Sequence, residues 1–289
     1  MAMAASVRLP VVAGSFYSAN PSSLRDQVMG CVNHHLGPKS PSLEIQQKVV
    51  GAVAPHAGFF YSGAAAAWTW AAAAGRRPEV VFLLGPNHYG IGERVAVSAA
   101  SSWSTPLGQA PVDRNACQLF AGAFDLARLD DSAHSREHSI EVQLPFLQVL
   151  VGNVPIVPIC ILSGRALAVE AARELQIERL GQALAQVAQG RRALFLASTD
   201  WTHYETKASA FRKDTAALAE VEALDATGLL ELVDEMNISM CGALPVASAI
   251  FAARAAGATS ARLLKYYTSG DIAGDDGEVV GYASVIFVS

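Results

Sequence analysis

Four histidines, one cysteine and two carboxylates carry the chemistry open to this chain. His56 stands in Pro55-His56-Ala57-Gly58, and His88 in Gly85-Pro86-Asn87-His88. Neutral imidazole is the commonest metal ligand, so two such groups at parallel positions supply half of a mononuclear site. The plain alternative is a pair of loop histidines bonded to backbone carbonyls. A third ligand has to come from elsewhere. A carboxylate, from Glu141 or Asp200, gives the two-His, one-carboxylate set that binds non-haem Fe(II) and leaves positions open. A thiolate favours zinc, iron or Cu(I), and Cys241 in Met240-Cys241-Gly242-Ala243-Leu244-Pro245 is the outstanding candidate. A thiol at a helix N-terminus has greater thiolate character. Spacing alone still reads Cys241 as a small core residue, as it does Cys31, Cys117 and Cys160.

Asp200 and His203 lie in Ser198-Thr199-Asp200-Trp201-Thr202-His203. Their spacing suits one helical turn, with both side chains on one side and the carboxylate orienting the ring for proton transfer. A helix N-cap role for Asp200 competes closely with that reading. His138, in Glu137-His138-Ser139-Ile140-Glu141, is a further catalytic candidate. The competing role is a capping segment, with Ser139 as cap and Glu141 as a first-turn charge. His34 and His35 read as solvent-facing.

The elements that must position these residues follow from apolar patterning. Val49–Ala54, Val80–Leu84 and Ala193–Ala197 are uninterrupted apolar runs, the pattern of strands buried on both faces of a parallel sheet. Ligands bind such sheets outside the carboxyl ends of the strands. His56, His88, Asp200 and His203 all follow those ends. Helices are expected over about 23–36, capped by Ser22 or Ser23, and from the Gly58–Gly63 loop to Gly75. Ile140, Leu144, Leu147 and Val151 define a helix face around Pro145, and further helices fall over 177–187, 207–235 and 243–256. Residues 94–112 hold short strands and a loop. Val154–Leu162 reads as a strand that Pro155 and Pro158 place at an edge or in irregular pairing. Final strands are expected near 261–267 and 279–288. No repeat or linker divides the chain, so 1–289 reads as one domain.

Composition narrows the class. Among 289 residues 52% are hydrophobic and 16% charged, against ~25% charged in typical domains, which suits a compact enzyme-sized core. A formal net charge of −5 gives no basis for gripping a phosphate backbone, so no nucleic-acid partner is expected. Scattered cysteines without a CxxC pair fit a reducing cytoplasm, and the first 17 residues show no signal-peptide pattern. The longest apolar stretch, Ala64 to Ala74, falls short of the ~20 residues a bilayer requires, so no membrane span is expected. Dinucleotide, P-loop, hydrolase-elbow and zincin motifs are all missing.

Taken in order, the motifs resemble the Memo family, called AmmeMemoRadiSam system protein B in prokaryotes. The match extends to Ala13-Gly14-Ser15-Phe16-Tyr17, Thr268-Ser269-Gly270-Asp271 and Val280-Gly281-Tyr282-Ala283. The resemblance implies a three-layer α/β/α domain with a largely parallel central sheet, similar to class III extradiol ring-cleaving dioxygenases, which use non-haem Fe(II). It implies His56, His88 and Cys241 as metal ligands, with Fe(II) expected and zinc or copper as alternatives. Asp200 and His203 match the neighbouring pair, and His203 corresponds in placement to the dioxygenases' acid/base histidine. The dioxygenases carry a carboxylate where this chain has Cys241, a change in charge, softness and redox behaviour that weighs against ring cleavage. The prokaryotic family name also implies association with AMMECR-like and radical SAM proteins. The expected function is a mononuclear, redox-capable metalloprotein with a small-molecule ligand in its cleft. Alternatives are a dioxygenase on a small aromatic substrate, or a binding module on an inherited enzyme fold.

Overall fold

The three uninterrupted apolar runs lie side by side at the centre of one large sheet. The computed structural model describes residues 6–162 and 168–289. Strands β1 (Val7–Arg8), β5 (Ser102–Thr105) and β6 (Gly108–Pro111) form a small sheet. The large one runs in the order β10 (His203–Glu205), β12 (Val279–Val288), β2 (Val49–Ala54), β9 (Ala193–Ser198), β3 (Val80–Pro86), β8 (Ile156–Ile161), β4 (Val95–Val97) and β7 (Ala127–Leu129). Strand β11 (Ser260–Thr268) pairs with β12. Every residue of β2, β3, β8 and β9 is buried, which explains why their sequences show no period-two alternation.

Those four central strands are mutually parallel. The expectation of a largely parallel sheet holds there and fails at the flanks. Strand β12 runs antiparallel to β2, β10 and β11, and β4 antiparallel to β8. The β11–β12 pair closes through the short helix Gly270–Ala273, a connection too short for the crossover that parallel pairing needs.

Helices cover both faces. Phe59–Arg76, Pro21–Asn33 and the helical run over 141–151 lie on one side, with Ala243–Ala255 and its neighbours Ile177–Val187 and Ala226–Glu235 on the other. Alanine lets Phe59–Arg76 sit close to the sheet, where Thr69 Oγ1 donates to the Val53 carbonyl at 2.7 Å. One continuous apolar core joins the layers. Among the described residues no helix is long and apolar enough to cross a membrane.

Three local expectations are corrected. The first helix starts at Pro21, and its cap is Asn20, whose side chain accepts from the Ser23 N–H, not Ser22 or Ser23. The stretch 207–235 is two helices, Lys207–Glu222 and Ala226–Glu235. They are broken at left-handed Leu224 (φ 56°) and restarted by the Asp225 cap. Strand β8 is interior despite Pro158. The proline faces β4 just past the last pair, Val97–Ile159, where its carbonyl accepts from Ser98 N–H and its missing N–H breaks no paired rung.

Candidate metal centre

Because β2, β3 and β9 are parallel, the segments leaving their carboxyl ends emerge at one edge of the sheet. The Ala54–Ser198 pairing puts His56 beside Asp200, and the His56 N–H donates to Asp200 Oδ1 at 2.8 Å. Ser198 fixes the ring. Its single hydroxyl proton goes to the Ser139 carbonyl at 2.7 Å, so it accepts from Gln143 Nε2 at 2.9 Å and from His56 Nδ1 at 3.0 Å. His56 is therefore protonated at Nδ1, and Nε2 keeps its lone pair. Burial, then the charges of His88 and His138, push the His56 pKa well down and keep the ring neutral.

His88 is held by Glu137, which is almost fully buried. Glu137 accepts from His88 N–H at 2.7 Å and from Nδ1 at 2.9 Å, again turning Nε2 inward. Burial lowers the His88 pKa, but hydrogen bonds to Cys241 and Glu137 outweigh it and raise the value to about 10. Burial opposes ionisation of Glu137, yet the His88 bond and backbone donors hold its carboxyl well below the usual range. These contacts are the carboxylate–histidine support typical of metal-site histidines.

Cys241 precedes the helix Ala243–Ala255, as its sequence context suggested. Its Sγ lies 3.4 Å from His56 Nε2 and accepts from the Asp200 N–H at 3.3 Å. A tetrahedral ion bound to one nitrogen and one sulfur sets those atoms roughly 3.6 Å apart, so the spacing matches a shared ion. Gly242 permits this approach, since a Cβ there would stand 2.5 Å from Thr199 Cβ and 2.7 Å from the Ser198 carbonyl. Gly85 plays the same part at the end of β3, where a Cβ would meet Ser139 Oγ at 2.5 Å.

His138 joins the cluster. Nitrogen atoms of His56, His88 and His138 lie within 4.8 Å of one another, a group that can hold a metal ion. The His138 ring stacks on His88, with centroids 4.8 Å apart and planes 14° from parallel, and meets Phe16 edge-on.

Two expectations about roles are corrected. Asp200 and His203 do not share a helical turn, because the segment between them is irregular and His203 opens β10. Asp200 supports the His56 backbone, while the His203 ring is oriented by Ser239, whose carbonyl accepts from Nδ1 at 2.7 Å. Burial raises the Asp200 pKa to about 6 against the bonds from His56 and Ala57. Glu141 is the second correction. It is fully buried and pairs with Arg8, accepts from Val11 and Val12 N–H groups, and takes the Tyr17 hydroxyl at 2.7 Å. That set of partners makes it a structural anchor and removes it as a ligand.

Sequence reasoning assigned no part to Glu137, Gln143, Ser198 or Ser239, the groups that fix the rings. Their one signal is placement: Ser198 ends an apolar strand and Glu137 precedes His138. Cys31, Cys117 and Cys160 are buried in the core as expected.

A cluster of oriented imidazoles and a thiol stands at the carboxyl edge of the three-layer α/β sheet, and its three histidines could hold a metal ion. The profile described as Memo-like protein matches residues 8–286, and the chain belongs to that family. A MEMO1 family protein of Pyrobaculum aerophilum is 42% identical over 285 residues, covering 97% of this chain and 99% of the relative. One from Methanopyrus kandleri is 42% identical over 97% of this chain and 98% of the relative. One from Nitrosopumilus maritimus is 36% identical over 98% and 100%. The crystal structure of an uncharacterized protein from Escherichia coli K12 shares the fold, with a TM-score of 0.55 and 15% identity. The likeness covers 82% of this chain and 99% of that one.

Proposed function

We propose that this protein is a mononuclear metalloprotein that binds one ion, iron(II) by preference, through His56, His88 and Cys241. The observation that carries the reading is the 3.4 Å approach of Cys241 Sγ to a His56 Nε2 whose lone pair is left free by Ser198. Two imidazoles and a thiolate suit a soft or borderline metal, and three protein ligands leave positions open for a small molecule. When bound, such an ion supplies redox chemistry or polarises a ligand oxygen. The chain's own residues do the rest. Glu137 and Ser198 hold the ligand rings in their binding tautomers, and Asp200 fixes the His56 backbone. His203, with Nδ1 tied to Ser239 and Nε2 free, handles the proton of a bound molecule.

Metal analysis of protein purified without chelators or tag-derived metal tests this reading. One equivalent of iron per chain, reduced to background in His88→Ala, is the expected result. Metal content unchanged in that variant would contradict it. Oxygen uptake with a panel of catechols after anaerobic Fe(II) loading separates general redox chemistry from ring cleavage.

A further inference from the structure

We infer that His138 is an exchangeable ligand, able to replace Cys241 as the third donor beside His56 and His88 and so convert the site from two nitrogens and a sulfur to three nitrogens. The inference rests on the proposed Cys241 ligation and extends it. Its basis is a difference in how the rings are held. His56, His88 and His203 are each tied through Nδ1, to Ser198, Glu137 and Ser239, at 3.0, 2.9 and 2.7 Å. A ring tied at Nδ1 keeps one orientation. His138 has no such tie among the described residues. Its Nδ1 stands 3.6 Å from Glu137 Oε1, beyond hydrogen-bond reach, and 17% of its side chain is exposed. The aromatic contacts on its ring are with His88, near-parallel, and with Phe16 and His56, both edge-on, and these fix no rotation about the side-chain bonds as a hydrogen bond does.

His138 nonetheless stands in range. Its nitrogen lies within 4.8 Å of those of His56 and His88, so a ring rotation with a small displacement brings three nitrogens around one ion at about 2.0–2.1 Å. Rotation leaves no buried group stranded, because Glu137 keeps its bonds from His88 and from the His138 and Ser139 N–H groups. In the arrangement seen here Cys241 Sγ, at 3.4 Å from His56 Nε2, is the donor placed to take the third position. With the sulfur gone, the site still offers a complete nitrogen set, of the kind that suits zinc or copper.

Cobalt(II) binding by Cys241→Ala, His138→Ala and the double variant tests the exchange, because cobalt reports both affinity and sulfur ligation by its visible and near-ultraviolet absorption. Alongside, Cys241→Ser and His138→Gln serve as milder replacements, and thermal melting checks that each variant is folded. The parent and His138→Ala should bind one cobalt with a thiolate charge-transfer band. Cys241→Ala should lose that band and keep one-to-one binding, weakened about tenfold, while the double variant should be weaker than Cys241→Ala by a further ~100-fold. A folded double variant that binds cobalt as well as Cys241→Ala does would overturn the exchange. So would a folded Cys241→Ala that binds none. A parent that binds cobalt without the thiolate band would instead overturn Cys241 ligation itself, and that outcome is separately visible.

Discussion

Glu137 and Glu141 are two buried carboxylates on one short turn, and they face different parts of the molecule. Glu137 looks toward the sheet edge, where it receives the His88 ring and the N–H groups of His88, His138 and Ser139. Glu141 looks toward the N-terminal segment, where it receives Arg8, the N–H groups of Val11 and Val12, and Tyr17. Each is built in a similar way, from backbone donors plus side-chain donors: one for Glu137, His88, and two for Glu141, Arg8 and Tyr17. What differs is the partner's other end. His88 has a second nitrogen pointing into a cluster of possible ligands, while the remaining donors of Arg8 close on the His134 and Glu137 carbonyls. The same chemistry therefore poises a site in one direction and locks the fold in the other.

The comparison breaks most visibly at Arg8. Arg8→Met strands Glu141 as an unpaired buried charge and should destabilise the protein by about 3–5 kcal/mol in denaturant unfolding. Metal content of the folded fraction should be unchanged. Metal loss in step with a small stability change would show that Glu141 belongs to the site after all.

Glu137→Gln sharpens the other half. Glutamine keeps an acceptor for the backbone N–H groups but weakens the hold on the His88 ring. Metal affinity should fall about 10–100-fold, with a smaller stability loss than Arg8→Met causes. Equal affinity in the variant, measured by metal competition, would place Glu137 with Glu141 as a purely structural group.

That these two glutamates differ was not legible in the sequence. Glu141 looked like a first-turn charge or a ligand, and only the long-range return of Arg8 to the 137–141 turn decides the matter. The strand-end residues were legible because full burial makes β2, β3 and β9 uniformly apolar, and a parallel centre must deliver His56, His88 and Asp200 to one edge. Cys241 was not legible from spacing, since a cysteine before a helix looks the same in a core as beside a metal. The Asp200–His203 spacing misled because strand β12 pins the segment open: Trp201 N–H donates to the Gly281 carbonyl, and Gly281 N–H to the Thr202 carbonyl. A helical turn there would forfeit both bonds.

A third effect tests the structural side through pH. His134 is fully buried against Trp103, with neither ring nitrogen bonded among the described residues. Burial and the Arg8 guanidinium hold its pKa at about 4, below the ordinary 6.5. The unfolded chain therefore binds this proton more readily, and His134 costs stability progressively as pH falls from 6.5 to about 4. His134→Leu should melt near the parent at pH 8 and increasingly above it toward pH 4. A constant difference across that range would refute the assignment.

The smallest effect is expected at His203. Its ring is partly exposed, so His203→Gln should change stability by no more than ~0.5 kcal/mol and leave metal content intact. Any turnover found for the parent should be lost. Metal loss comparable to that of His88→Ala would make His203 a ligand instead.

X-ray absorption at the metal edge of protein purified without chelators addresses the centre itself. The account requires one sulfur scatterer at about 2.3 Å together with nitrogen at about 2.0–2.1 Å, the sulfur vanishing in Cys241→Ala. A shell of nitrogen and oxygen alone in the parent would contradict it.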